Sequence, residues 1–489
     1  MMDEGLVVDP TDDPFPSPED AEPPPSGEDE EAPSSDEDEE VLPSDLAGRL
    51  AVWSSDLRLD RIPSEVIHAA RRSLLDVTGC ALAGTTTPLS KAIRATAPRL
   101  YAEGKCHVMG DSARLNPVGA AMVNGVACHA LEFDNTLASG RVHAAAMVFP
   151  AVLAATEASS AAPLDMMAGF IAGMEVAGVI GAAVAGPVVA RGWSISGLAG
   201  LMGAVAGVAR AFRLDSGTTA HALRLAVAKG GVMSISEGTS ARSTALAGLS
   251  EEAVKVCLFA NDGMAGPDRA LEGWGGAFAV LAGPKPKGAP NPWGGLGKTW
   301  FLTDPGLSFK LHPLTSGILP AVEEAANLLS VHRIPSNRVT RVTCQMEAGA
   351  VARLFSGDPH TVPQAQHSLR FAIGCLLTFG QLNVSHLRRS VLEGPGLEEA
   401  MAKVRAVPAT GSLGIDAAVF ETNPQAARVI IEVDGREPVM GLRLGATGRP
   451  ELPLSDRQIE AKFLANTRLA GIDEPKAQLM ARRVWEMPG

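Results

Sequence analysis

The sequence predicts a helix-dominated fold followed by a smaller α+β region, and three observations carry that expectation. The apolar share of the 489 residues is drawn from Ala, Gly, Val and Leu, with a lone tyrosine at Tyr101, which favours helices packed closely through small residues. Apolar residues recur at helical spacing from Asp45 to about residue 280. Beyond a Gly/Pro-rich stretch at 283–300 the pattern becomes mixed, with strand alternation beside helical runs. A chain of this length is expected to form two or three domains.

Residues 1–44 contain 17 of the 55 acidic residues and none of the 42 lysines and arginines. Ordering this Pro/Ser/acid segment would cost backbone entropy with little apolar surface to bury, so a disordered acidic tail is expected. Its role is that of a solubilising extension or, alternatively, a docking segment for a basic protein partner. The formal charge of -13 therefore resides in the tail, and the body is mildly basic. That balance suits a small anionic substrate, and no clustered basic stripe argues for nucleic acid. Six scattered cysteines without a CxxC pair speak against structural zinc or a disulfide framework, and fit reduced thiols in the cytoplasm. The acidic start has neither the apolar core of a secretory signal nor the arginines of a mitochondrial presequence.

Taken in order, the body begins at Asp45 with a first helix, and Pro63 opens a second after Ile62. Small-residue helices follow at 116–127, 144–162, 165–185, 196–213, 217–229 and 245–261, giving an all-helical domain over 45–282. The run 165–190 is long enough to cross a bilayer. Glu175 sits mid-run, however, and Gly186-Pro187 breaks it, so a buried helix is expected and no membrane partner. A second, α+β domain is expected over 283–415: HPLTSGILPAVEEAANLLSVHRI holds a helix, VTRVTCQME alternates as a strand, and QHSLRFAIGCLLTFGQL is an apolar helix. In the segment 416–489, a hairpin turning at Asp434-Gly435 precedes a helix capped by Ser455.

Chemistry concentrates at 128–150, CHALEFDNTLASGRVHAAAMVFP, where His129, Glu132, Asp134, Asn135, Thr136, Arg141 and His143 interrupt apolar runs. Acid, hydroxyl and imidazole groups between two buried helices point to a polar loop facing a cavity.

Together with this loop, WSSDLRLDRIPSEVIHAARRSLLDVTGCALAG, AGFIAGMEVAGVIGAA, LSFKLHP and PLSDRQIEAKF make the chain resemble the MmgE/PrpD family from about residue 45 to the end. The resemblance implies a mainly α protein whose large all-helical domain is formed by both ends of the folded chain, with 416–489 returning to it. It also implies a smaller α+β lid domain, an interdomain pocket needing no metal or organic cofactor, and a homodimer. Family members act on small di- and tricarboxylates through enolate-like or carbanionic states, which require cations for carboxylates and a proton-transfer group.

By that resemblance His143 is the expected general acid/base and Lys310, in LSFKLHP, the expected active-site lysine. Glu132 stands where the family usually carries Asp, and Asp134 and Thr136 match the family's acid-rich loop motif, although the two acids could instead cap the following helix. Three positions depart from the pattern: Ser194 replaces a histidine, Arg242 a lysine, and Thr315 a histidine or cysteine. Arg242 keeps a cation but removes a titratable base. His367, in QAQHSLRFA, resembles a substrate-facing position, whereas His312 and Lys229 are weaker candidates for a displaced acid/base and cation.

The expected function is a cofactor-independent dehydratase or decarboxylase acting on an aconitate- or methylcitrate-like acid. An epimerase that removes and returns an α-proton is the alternative, as is a non-catalytic member that binds a partner through its tail.

Overall fold

The computed structural model describes residues 45–284, 292–409 and 418–489. The expected tail at 1–44 lies outside the described residues, as does 285–291 of the Gly/Pro stretch. The fold is mainly α. Nine helices of ten residues or more come first among the described residues: α1 (Leu46–Ser55), α2 (Ser64–Gly84), α3 (Pro88–Leu100), α4 (Pro117–His129), α5 (Ala144–Ser159), α6 (Pro163–Ala190), α7 (Ile195–Phe212), α8 (Ser216–Ala226) and α9 (Ser240–Asn261). Several starts are chemically specified. Asp45, Asn116 and Asp215 each accept a backbone N–H from the first turn of α1, α4 and α8, and Pro117 and Pro163 occupy first-turn positions where no N–H is needed.

Small residues set the packing of this region. A Cβ on Gly173 would lie 2.6 Å from the Gly203 carbonyl oxygen, and one on Gly203 would lie 2.4 Å from that of Gly173, so α6 and α7 cross with backbones in contact. Both helices are long and apolar enough to span a membrane by length and composition, and both are largely buried among the other helices. Glu175, in the middle of α6, is tolerated because its carboxylate accepts the backbone N–H groups of Phe301 and Leu302 at 2.7 and 2.9 Å. Burial still raises it to about 7, against those two hydrogen bonds. One expectation fails here: α6 runs through Gly186-Pro187 to Ala190. Pro187 lies in the last turn, where its fixed φ is compatible with the helix and only one hydrogen bond is forgone.

Short strands lie between these helices: β1 (Glu103–His107) pairs with β2 (Arg114–Leu115), and β3 (Thr136–Leu137) with β4 (Leu307–Ser308), both antiparallel. The first hydrophobic core extends from Leu46 to Phe309 and includes Leu454, Ile459, Phe463 and Ala481. The last three belong to α14 (Asp456–Leu469) and α15 (Glu474–Trp485), labels that follow α10 (Leu319–Val331), α11 (Ala348–Ala352), α12 (Val362–Gln366) and α13 (Leu369–Phe379).

A second core surrounds a four-stranded sheet of order β6-β5-β7-β8, with β5 at Val339–Met346, β6 at Val404–Pro408, β7 at Ala427–Val433 and β8 at Arg436–Arg443. β5 and β6 are parallel, and the other pairs are antiparallel. Alternate burial along β7, at Ala427, Val429, Ile431 and Val433, covers one sheet face with α10 and α13. The hairpin expected to return to the helices with the rest of 416–489 is therefore part of this sheet, because its apolar face needs β5 beside it; the chain rejoins the first core at Leu454. Cys80 and Ala83 of α2, with Leu131 and Phe133 of the polar loop, pack into the second core. The loop thus lies on the seam between the two.

The close α6–α7 crossing predicts that Gly203→Ala destabilises the protein by about 1–3 kcal/mol, because the added methyl meets backbone rather than a movable side chain. Denaturant unfolding checks this; an unchanged midpoint would contradict the packing.

Candidate active site

The loop after α4 is built on a buried ion pair. Asp76 of α2 and Lys462 of α14 stand 2.7 Å apart beneath it. Asp76 accepts the backbone N–H and side-chain amide of Asn135 at 3.0 and 2.9 Å, while Lys462 donates to the Phe133 carbonyl at 2.7 Å and lies over its ring at 3.8 Å. Burial opposes the charge on Lys462, but Asp76 outweighs it and raises the ammonium above its ordinary value. Ser73 completes the floor by donating to Asn135 Oδ1 at 2.9 Å.

This floor holds Glu132 in a left-handed backbone conformation, φ 49°, which a non-glycine residue keeps only when its surroundings over-determine it. Lys310 provides that constraint, donating to both the carbonyl oxygen and Oε1 of Glu132 at 2.8 and 2.9 Å. The β3–β4 ladder delivers it: with Thr136 opposite Ser308, the chain two residues on from β4 runs beside the loop. Burial disfavours the Glu132 carboxylate, but Lys310, His129 and His143 outweigh it and hold it well below the usual carboxylate range.

Asp134 is fully buried between two imidazoles. Its Oδ1 lies 2.9 Å from His129 Nδ1 and its Oδ2 2.7 Å from His143 Nδ1. Burial penalises its charge, yet the two histidines overcome this and keep it strongly acidic. An ionised carboxylate only accepts, so both Nδ1 atoms carry protons. The histidines then diverge. For His129, burial works against protonation but Asp134 and Glu132 outweigh it, raising it to about 9. For His143, burial prevails over the same carboxylates and lowers it, leaving a neutral imidazole with a lone pair on Nε2, 3.5 Å from Glu132.

His143 opens onto a cavity of about 390 Å³ walled by both cores. Of the expected site residues, Glu132, Thr136, His143, Ser194, Arg242, Thr315 and His367 line it. Asp134 and Lys310 stand one layer behind, against His143 and Glu132. Lys310, expected to meet substrate, instead has its ammonium engaged by Glu132. Arg242 is 7% exposed, and its Nη1 has no hydrogen-bond partner among the described residues. His367 donates Nδ1–H to the Pro363 carbonyl at 3.1 Å. Gln366 ties the two sides together, accepting the Thr315 N–H at 2.9 Å and donating to the Ala130 carbonyl at 3.3 Å. His312 bonds the Leu382 carbonyl away from the cavity, and Lys229 is exposed on the turn after α8.

Arg141 of the polar loop lines the cavity as well, and Trp193, Ser196, Ser234, Glu237 and Arg353 do so without having been expected there. Nothing in the local sequence signals Arg353, whereas Asp76, one acid in an apolar helix, could have been read as demanding a buried partner. Ligand atoms of His129, Asp134 and His143 lie within 4.8 Å of one another, close enough for a metal. With both Nδ1 protons directed at Asp134, however, the trio is a hydrogen-bonded network in which only the Nε2 atoms could ligate.

Lys462→Met is predicted to destabilise the protein by about 3–5 kcal/mol by leaving Asp76 buried without its cation. Denaturant unfolding gives the magnitude. Hydrogen exchange should show the loss of protection concentrated in 130–136, and a uniform loss would count against a local clamp.

Residues 48–289 match the MmgE/PrpD N-terminal domain, and residues 312–487 match the MmgE/PrpD C-terminal domain. Similar curated proteins include the cis-aconitate decarboxylase-like protein oryM of Aspergillus oryzae, 27% identical over 298 residues, which cover 58% of this chain and 61% of that protein. The cis-aconitate decarboxylase of Homo sapiens is 25% identical over 361 residues, 71% of this chain and 73% of the relative. That of Aspergillus terreus is 29% identical over 222 residues, 42% and 45% respectively. The matched region thus spans less than two thirds of the oryM and Aspergillus terreus proteins. Matched through both of its domains in order, the chain belongs to the MmgE/PrpD family.

Proposed function

We propose that the protein is a cofactor-independent lyase acting on a small di- or tricarboxylate, by dehydration or decarboxylation, with His143 as its proton-transfer group. The observation that carries this reading is the convergence, on one cavity, of a bare imidazole nitrogen and an unusually positive wall. His143, Ser194 and Thr239 are the N-cap residues of α5, α7 and α9, and none of the three gives its helix a side-chain cap. Uncapped N-termini of helices this long present partial positive charge and free N–H groups to an anion. Arg242 adds a full charge with an unused N–H. Names of the relatives, which are cis-aconitate decarboxylases or resemble them, support the same substrate class.

In a dehydration, His143 Nε2 takes the proton from the carbon next to a carboxylate held by Arg242, the electron pair forms the double bond, and the hydroxyl leaves as water on taking that same proton from the His143 imidazolium. In a decarboxylation, the carbon–carbon bond breaks, CO2 departs, and the protonated His143 delivers its proton to the carbon left behind. Asp134 serves both by stabilising the imidazolium and fixing Nδ1–H. Lys310 acts as a positioning residue that orients Glu132. The homodimer and the tail's basic partner belong to this proposal through the resemblance and the tail's composition.

Incubating the purified protein with cis-aconitate, 2-methylcitrate and citrate, followed by NMR, tests the reading. Conversion of at least one is expected, with His143→Gln lowering kcat about 10²–10⁴-fold. No conversion of any would remove these substrates. Because His143 is lowered below its ordinary 6.5, its neutral form persists into mild acid. A dehydration should therefore hold its kcat/KM from neutral pH to below 6.5 before falling, whereas a decarboxylation should gain as the pH drops through the same region.

A further inference from the structure

Three arginines line the cavity, Arg141, Arg242 and Arg353, and none forms an ion pair among the described residues. Of the acids in the same wall, Glu132 is engaged by Lys310, which leaves Glu237. Arg242 is buried, whereas Arg141 and Arg353 reach the surface, so they occupy the outer part of the cavity. They arrive there from different cores. Arg141 follows Gly140 in a turn where both residues have positive φ, 57° and 72°, a strained arrangement for an arginine. Arg353 ends α11, whose start is fixed by Glu347 accepting the N–H groups of Gly349 and Ala350 at 2.7 Å each. Both line one cavity, and Arg141 is held below its ordinary value by desolvation and then by Arg353 and Arg449, with Glu347 and Glu237 only offsetting this.

Like charges gathered from two cores, with Glu237 and Glu347 nearby but in no ion pair with either, are stabilised by an anion that both can grip. We propose that Arg141 and Arg353 form a carboxylate clamp at the outer end of the cavity, which binds the substrate carboxylate farthest from His143 and selects acids carrying a distal carboxylate. The clamp rests on the polycarboxylate reading of the cavity and adds residues and a selection rule to it. Guanidinium suits the task, because its planar fork meets a carboxylate with two parallel hydrogen bonds. Arg242 and the helix N-termini hold the carboxylate beside the reacting carbon, so the substrate is fixed at both ends.

Titration calorimetry on the full chain tests this with tricarballylate, glutarate and butyrate as three-, two- and one-carboxylate probes. Arg353→Gln and Arg141→Asn should each weaken tricarballylate and glutarate about tenfold or more, while leaving butyrate unchanged. Asparagine is chosen at 141 because it tolerates positive φ. The double variant should be little weaker than either single one, since both arginines hold the same carboxylate. Arg353→Lys should restore only part of the affinity. Unchanged melting temperatures would exclude misfolding at these exposed positions. If the unaltered protein binds tricarballylate and Arg242→Gln weakens it, but Arg141→Asn and Arg353→Gln do not, the clamp is overturned and the wider reading stands. If the unaltered protein binds none of the probes, both fall. Inorganic phosphate is the competing probe; tighter Arg353-dependent binding of phosphate than of tricarballylate would overturn the carboxylate assignment.

Discussion

Asp134 is an ionised carboxylate without contact with water, and the site depends on how that charge is accommodated. Isolated in the interior it would be too costly to keep, so it persists only between the Nδ1–H groups of His129 and His143. The sharing is unequal. His129 takes the positive charge because Glu132 stands 3.1 Å from its Nε2, while for His143, 3.5 Å from Glu132 and with Lys310 also opposing its charge, burial prevails and the ring stays neutral. One carboxylate thereby creates a structural imidazolium and a free base 4.7 Å apart, ring centre to ring centre. The clamp beneath, Asp76 with Lys462, and the brace beside, Lys310 on Glu132, keep the loop where this division can operate.

The architecture serves the same end. Glycine contacts let α6 and α7 cross closely in the first core, while the uncapped N-termini of α5 and α7 stand in the cavity wall, joined by Arg242 from the first turn of α9. Leu131 and Phe133 anchor the loop in the second core, so both cores bear directly on the residues around His143. A ligand that spans the cavity touches both, which makes substrate binding sensitive to how the two cores are held together.

Much of this could be read from the chain. Small apolar residues at helical spacing predicted most of the long helices, although α3 went unread and α6 and α9 each extend five residues beyond one expected end, and the dense polar stretch at 128–150 marked the loop. Position in the sequence could not reveal which polar groups would spend their charge on one another. Lys310 looked like a substrate-binding cation, but the β3–β4 ladder places it against Glu132, a partner 178 residues away. Arg353 carried no local signal because its significance comes from lining one cavity with Arg141, a residue more than 200 positions away. Pro187 misled for a different reason: proline ends helices where an N–H is needed, and in the last turn of α6 the loss is small. The departures at Ser194, Arg242 and Thr315 are legible as replacements, and their effect is to leave a wall with hydroxyls and a guanidinium where imidazole and amine were expected.

The unequal sharing of Asp134 is the centre of the account, and nitrogen NMR of the histidine-labelled full chain observes it directly. At pH 7 the account predicts that His143 is neutral with its proton on Nδ1 and none on Nε2, and that His129, assigned with His129→Gln, is doubly protonated. A His143 protonated at Nε2, or a neutral His129 beside a charged His143, would contradict it.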